Sequence, residues 1–184
     1  MRIISGTHKG RNIVTPNNLD VRPTTDFAKE SLFNILFNYM DFEGLEVLDL
    51  FAGTGGISYE FASRGCARVV AVDNNFKCVN FIKQSAVTMK LNAIHALEAN
   101  MFNLVKFHNA KYDVIFADPP YNMPHIEKVP SLIFEHEMLK DYGWFVFEHS
   151  NEFDFKDHPK FFQQRDYGKV NFSFFVNNLE ELGV

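Results

Sequence analysis

From Leu45 onward the chain repeats one rhythm: a short apolar run, a turn, then a segment of helical length. The runs Glu46–Leu50, 68–72, 93–99, Tyr112–Ala117 and 143–148 read as buried strands. Segments such as 75–90 and 125–139 are long enough for helices. Parallel neighbours need a crossover of a dozen or more residues, so this alternation requires a mostly parallel sheet covered on both faces. The end breaks the rhythm. Runs 160–165 and Val170–Val176 flank Asp166-Tyr167-Gly168, a turn signal, so an antiparallel hairpin closes the sheet.

The start is different again. Residues 1–15 alternate apolar and polar positions around Gly6-Thr7-His8-Lys9-Gly10, which predicts a β-hairpin. Thr24-Thr25-Asp26 offers N-cap oxygens to a helix with Leu32, Ile35, Leu36 and Tyr39 on its apolar face, ending near Glu43-Gly44. The net charge of −5 splits unevenly: residues 1–22 carry +3, and the rest carries −8. That is a small basic foot on an acidic body, with Arg2, Lys9, Arg11 and Arg22 available to a polyanion. We expect one domain over residues 1–184: an extension at 1–22, separable from the cofactor site, and a core at 23–184.

Composition excludes several classes. With 46% hydrophobic residues the chain fills a core and is not a disordered segment. No apolar run approaches the roughly 20 residues of a membrane span, and no signal peptide is visible. Cys66 and Cys78 form neither a disulfide framework nor a zinc pair, and the seven histidines are scattered. The expectation is a monomeric cytoplasmic protein with no metal and no membrane partner.

Leu48-Asp49-Leu50-Phe51-Ala52-Gly53-Thr54-Gly55-Gly56 follows a strand and precedes a helix. Glycines there permit a tight turn and close approach of backbone to a ligand. Asp73 ends the next strand, 20 residues after Gly53, the spacing that suits a ribose diol. The third glycine of the dinucleotide fingerprint is missing. A pyrophosphate needs the helix end brought close, whereas a sulfonium cofactor without phosphate does not. The pattern therefore favours S-adenosylmethionine, with Asp49, Phe51, Gly53, Gly55, Asp73 and Asn74 around it. Asn100 and Met101, beyond the next strand, would meet the adenine.

Asp118-Pro119-Pro120-Tyr121 directly follows the strand Tyr112–Ala117. Two prolines fix the backbone and remove two N–H donors, so acceptors project from this turn. Asp118 and the Pro119 carbonyl suit an amino group with two hydrogens, and Tyr121 offers a face for a flipped base. Accepting hydrogen bonds from an exocyclic amine favours a pyramidal nitrogen with a freed lone pair. No cysteine stands where pyrimidine C5 chemistry would need one.

With these motifs in hand, the chain resembles the RsmD family of 16S ribosomal RNA guanine-N2 methyltransferases. The resemblance rests on Arg2-Ile3-Ile4-Ser5-Gly6, Lys9-Gly10-Arg11, the segment from Leu19 to Asp26, Phe51-Ala52-Gly53-Thr54-Gly55 and Asp118-Pro119-Pro120-Tyr121. It implies a Rossmann-like class I methyltransferase with a seven-stranded sheet and an N-terminal hairpin. It also implies a guanine in 16S rRNA, within the small subunit or an assembly intermediate, held by Arg2, Lys9, Arg11, Arg22 and Thr24. Where that family often has arginine and glutamate, this chain has Lys29-Glu30. The alternatives are an adenine-N6 methyltransferase on DNA or RNA, and a non-catalytic nucleotide-binding module of the same fold.

Overall fold

In the computed structural model, which describes residues 1–16, 19, 24–168 and 170–178, the expected alternation of strand and helix is present. Two units divide the chain, Met1–Met101 and Phe102–Val184.

The first unit holds three parallel strands, β1 (Glu46–Leu50), β2 (Arg68–Asp73) and β3 (Ile94–Glu98). β2 lies between the others, with Val70 opposite Leu48 on one side and His95 on the other. Val47, Leu48, Leu50, Val69, Ala71 and Val72 are buried, as strands under helices require. The helices are α1 (Asp26–Phe37), α2 (Gly56–Ser63) and α3 (Phe76–Met89). Thr25 starts α1 as expected: its side chain accepts the Ala28 N–H at 3.2 Å.

Two expectations fail here. α1 stops at Phe37, not near Gly44, and Tyr39 is exposed. The loop after the helix delivers Phe42 to the core instead, where it meets Phe33 at 5.6 Å between centroids and Phe61 at 6.0 Å. The second failure is β3, read as a buried strand. His95, Leu97 and Glu98 on it are exposed, and only Ile94 and Ala96 are half-covered.

The second unit holds β4 (Tyr112–Ala117) and β5 (Leu139–Ser150), which run parallel, and β6 (Phe161–Tyr167) and β7 (Val170–Val176). β7 is antiparallel to both β5 and β6, so the closing hairpin is present. Phe145, Phe147, Phe172, Phe174 and Phe175 are fully buried in it. α4 (Met101–Phe107) opens the unit. The expected helix over 125–139 is instead a 3-10 turn, Ile126–Lys128, followed by α5 (Val129–Glu135). His125, at φ 61°, sets the turn off in the left-handed region. β5 starts four residues earlier than expected, because Leu139 already pairs with Tyr112 ahead of a bulge. The fold is a seven-stranded, mostly parallel α/β sheet of the Rossmann-like class I type. No helix among the described residues is long and apolar enough to cross a membrane.

Candidate active site

The cofactor half lies in the first unit. β1 ends at Leu50, and the chain turns through Phe51, held at φ 61°. A non-glycine residue there costs on the order of 1–3 kcal/mol, a strain typical of functional loops. Gly53 donates its N–H to Asp73 Oδ2 at 2.8 Å, and Asn75 donates its N–H to Asp73 Oδ1 at 2.8 Å. Asp73 thus braces the glycine turn, and each carboxylate oxygen retains a second acceptor lone pair. Gly55, at φ 84°, caps α2; a Cβ on it would come within 2.9 Å of the Ile82 and Tyr59 side chains. A Cβ on Gly53 would have no neighbour nearer than the Phe51 carbonyl at 4.0 Å, so this backbone faces open space. An adenosine-bearing ligand fits such a turn: backbone it can approach, and a carboxylate at the strand end.

Other expected cofactor residues take various positions. Asp49 is buried, and its Oδ2 accepts the Ser58 hydroxyl at 2.5 Å, tying β1 to the first turn of α2. Asn74 and Asn100 are exposed, and Met101 is buried. Replacing Asp73 with Ala is expected to weaken S-adenosylmethionine binding by about 1–3 kcal/mol, the worth of hydrogen bonds to a charged acceptor. Calorimetric titration measures this; unchanged affinity would remove Asp73 from the cofactor site.

The N-terminal segment is less independent than its sequence suggests. Its backbone folds back on itself, with Ile3 N–H donating to Arg11 O at 3.0 Å and Gly10 N–H to Ile3 O at 2.8 Å. Only one β-bridge forms, Arg2 with Asn12, so this is a loose hairpin without regular strands. It runs along α2 from end to end. Thr54, at the start, donates its hydroxyl to the Met1 sulfur at 3.9 Å. Midway, Glu60 accepts the Ile4 N–H at 2.6 Å. At the far end Ser63 O accepts the Thr7 N–H at 2.7 Å, and Ser63 Oγ donates to Ser5 O at 2.6 Å. Gly6 makes this approach possible: a Cβ there would sit 1.9 Å from Ser63 O.

Glu60 is the centre of the clamp. It is fully buried, with Lys29 Nζ at 3.4 Å and the Arg64 guanidinium at 3.5 Å. Lys29 is itself buried and also donates to the Arg2 carbonyl. The Arg64 guanidinium lies 4.3 Å over the Phe33 ring, and burial lowers its pKa. Sequence reading missed Glu60. The signal was present: a lone acid inside the apolar run Ile57 to Ala62, with Lys29 the matching lone base in α1. Lys29 therefore serves the N-terminal clamp and is not a surface charge.

Of the substrate-side residues, Lys9 and Arg11 are exposed. Arg2 is half-exposed and pairs with Asp26 at 3.3 Å. Thr24 is half-buried beside the α1 cap. Arg22 lies outside the described residues.

The chemical half lies in the second unit. Asp118 follows β4, with Pro119 buried and Tyr121 47% exposed, enough ring for a base to stack on. Pro120 O accepts the Met123 N–H at 2.8 Å, which closes the turn after the motif. Desolvation by burial pushes the Asp118 carboxyl up from 3.8 to about 7. A carboxyl poised near neutrality, next to rigid backbone and a flat ring, can switch between donor and acceptor around an amino group.

Fold and site together define a class I methyltransferase that uses S-adenosylmethionine as its methyl donor. The chain matches, over residues 1–176, the family described as Conserved hypothetical protein 95. It belongs to that family, the RsmD family of methyltransferases. The Bacillus subtilis protein YlbH is 38% identical over 156 residues, covering 83% of this chain and 84% of YlbH. Ribosomal RNA small subunit methyltransferase D of Haemophilus influenzae is 33% identical over 144 residues, covering 76% of this chain and 74% of that protein. Among solved structures, yhhF from Escherichia coli superposes with a TM-score of 0.85 at 24% identity, over 97% of this chain and 98% of that one.

Proposed function

We propose that this protein methylates the exocyclic N2 amino group of a guanine in 16S ribosomal RNA, presented by the small subunit or an assembly intermediate. The observation that carries the reading is Asp118-Pro119-Pro120-Tyr121 at the end of β4 in a chain of the RsmD family. The family supports rRNA as the substrate; the motif supports an amino group as the acceptor. We read residues 1–184 as one methyltransferase domain, working as a monomer in the cytoplasm.

S-adenosylmethionine, when bound, supplies the electrophilic methyl group. Asp73 holds the ribose hydroxyls while bracing Gly53, and the Gly53–Gly55 backbone borders the cofactor. Asp49 supports the turn from beneath, with Phe51 and Asn74 beside it, and Asn100 and Met101 border the adenine. On the substrate side the Asp118 carboxylate and the Pro119 carbonyl accept the two amino hydrogens. That pulls the nitrogen toward a pyramidal geometry and aims its lone pair. The work is positioning and electrostatics. Tyr121 stacks on the flipped base, while Arg2, Lys9, Arg11, Arg22 and Thr24 hold the RNA backbone.

Asp118 makes the reaction pH-dependent. Its carboxyl titrates near 7, and only the ionised form accepts two hydrogens. Turnover under subsaturating RNA is expected to rise about tenfold per pH unit below 7 and to level off above it. A rate profile from pH 5.5 to 9 with no inflection near 7 would refute the assignment. The substrate is tested by comparing methyl incorporation into naked 16S RNA, small subunits from a strain lacking the enzyme, and adenine-containing DNA duplexes. The expected product is N2-methylguanine in the subunits; N6-methyladenine would establish the adenine alternative.

A further inference from the structure

Between α4 and α5 of the second unit lies a cavity of about 300 Å³ that the chemistry above does not use. Phe102 and Val105 line it from α4, and Leu132 from α5, giving an apolar floor. Its rim is basic: Lys106 in the last turn of α4, Lys128 in the turn before α5, and the imidazoles of His125 and His136. All four rim residues are exposed. No carboxylate lines the cavity. Beside the rim, the Glu127 carboxylate stands 3.7 Å from His125. This is unusual ground. Residues 23–184 carry −8, so most surface repels a polyanion. Here two lysines and two imidazole donors ring an apolar hollow.

We infer that this groove is a second RNA contact, taking one nucleotide that flanks the target base. The volume is at the small end for ligand pockets, room for a single base. The base lies against Phe102 and Leu132, the stacking mode that single-stranded RNA offers. Lys106 and Lys128 take the phosphates on either side. In the sequence the groove begins one residue after Met101, and His125 comes four residues after Tyr121, so its lining continues the segments that border the cofactor and the base. The inference rests on the RNA reading of the proposed function. It adds a cationic contact to those expected of Arg2, Lys9, Arg11 and Arg22.

The test uses the full chain with Lys106→Gln, Lys128→Gln and the double variant. Binding and methylation of 16S RNA, and of small subunits from a strain lacking the enzyme, are measured between 50 and 300 mM salt. The double variant is expected to lose about 1.4 from the log–log salt slope, at roughly 0.7 per single-strand phosphate. KM for RNA should rise at least about tenfold at low salt, with kcat and S-adenosylmethionine affinity within twofold. Phe102→Leu, which keeps the packing but removes the ring face, should weaken RNA binding by about fivefold or more. An unchanged salt slope with unchanged KM overturns the groove even if the wild type methylates RNA. Loss of binding to polyglutamate in place of RNA likewise overturns it, in favour of an acidic protein partner. Failure of the wild type to modify either RNA substrate would count against the proposed function itself, a result separable from both.

Discussion

Asp118→Asn is expected to cut methyl transfer by about a thousandfold or more while leaving S-adenosylmethionine affinity within about twofold. The size follows from the role: one positioned acid–base group is worth roughly 10²–10⁴ in rate, and Asn also replaces an acceptor with a donor. The separation follows from location, since the cofactor turn is braced by Asp73 and not by Asp118. Stability should move the other way. The folded carboxyl has its pKa raised from 3.8 to about 7, so the native state binds a proton that the unfolded state releases between those values. Stability therefore falls as pH rises from about 4 to 7, and the deficit is complete above 7. The Asn variant should melt higher than wild type at pH 8 and close to it at pH 4. Parallel loss of cofactor binding and turnover would instead mark Asp118 as part of the cofactor site.

Glu60→Ala is expected to destabilise the protein by about 3–5 kcal/mol, because it removes a buried carboxylate from Arg64 and from Lys29, leaving Lys29 the Arg2 carbonyl and the more exposed Asp26 at 3.5 Å, and orphans the Ile4 N–H. For a chain of this size that lowers Tm by about 6–20 °C. Cofactor affinity should fall as well, measured well below the melting point, because α2 begins at the glycine turn. The double variant Lys29→Met, Glu60→Leu separates charge from packing. An apolar pair of similar volume should recover much of the Tm, since buried ion pairs return little of their desolvation cost. If Glu60→Ala leaves both Tm and cofactor affinity unchanged, the clamp does not hold the turn.

The parts of this molecule legible in sequence are those set by local rules. Period and turn chemistry located six of the seven strands to within a residue or two at most ends. They also located the Thr25 cap and the closing hairpin at Asp166-Tyr167-Gly168. The failures have separate physical causes. α1 ends early because Phe42 turns back onto Phe33 and Phe61. β5 begins early because Leu139 finds Tyr112. Exposure of β3 could not be read from its apolar residues, because periodicity reports spacing and not how many sides a strand has covered. The candidate motifs stood out because each is contiguous. The Lys29–Glu60 pair was not: its members stand 31 residues apart, and charged residues ordinarily read as surface.

The order in which the clamp's parts are synthesised sets a schedule for its assembly. Residues 1–13 are made before the partners they bind: Ile4 before Glu60, 56 positions on, and His8 before the Met89 carbonyl, 81 positions on. At roughly 5–20 residues per second, Met89 is made about 4–16 seconds after His8. Until Glu60 and Ser63 are made, the segment, with its cations and two buried isoleucines, Ile3 and Ile13, lacks its partners along α2, and the Met89 contact comes later still. The segment is made ahead of the partners it fastens to, and until they follow, the glycine turn lacks the strap along its helix.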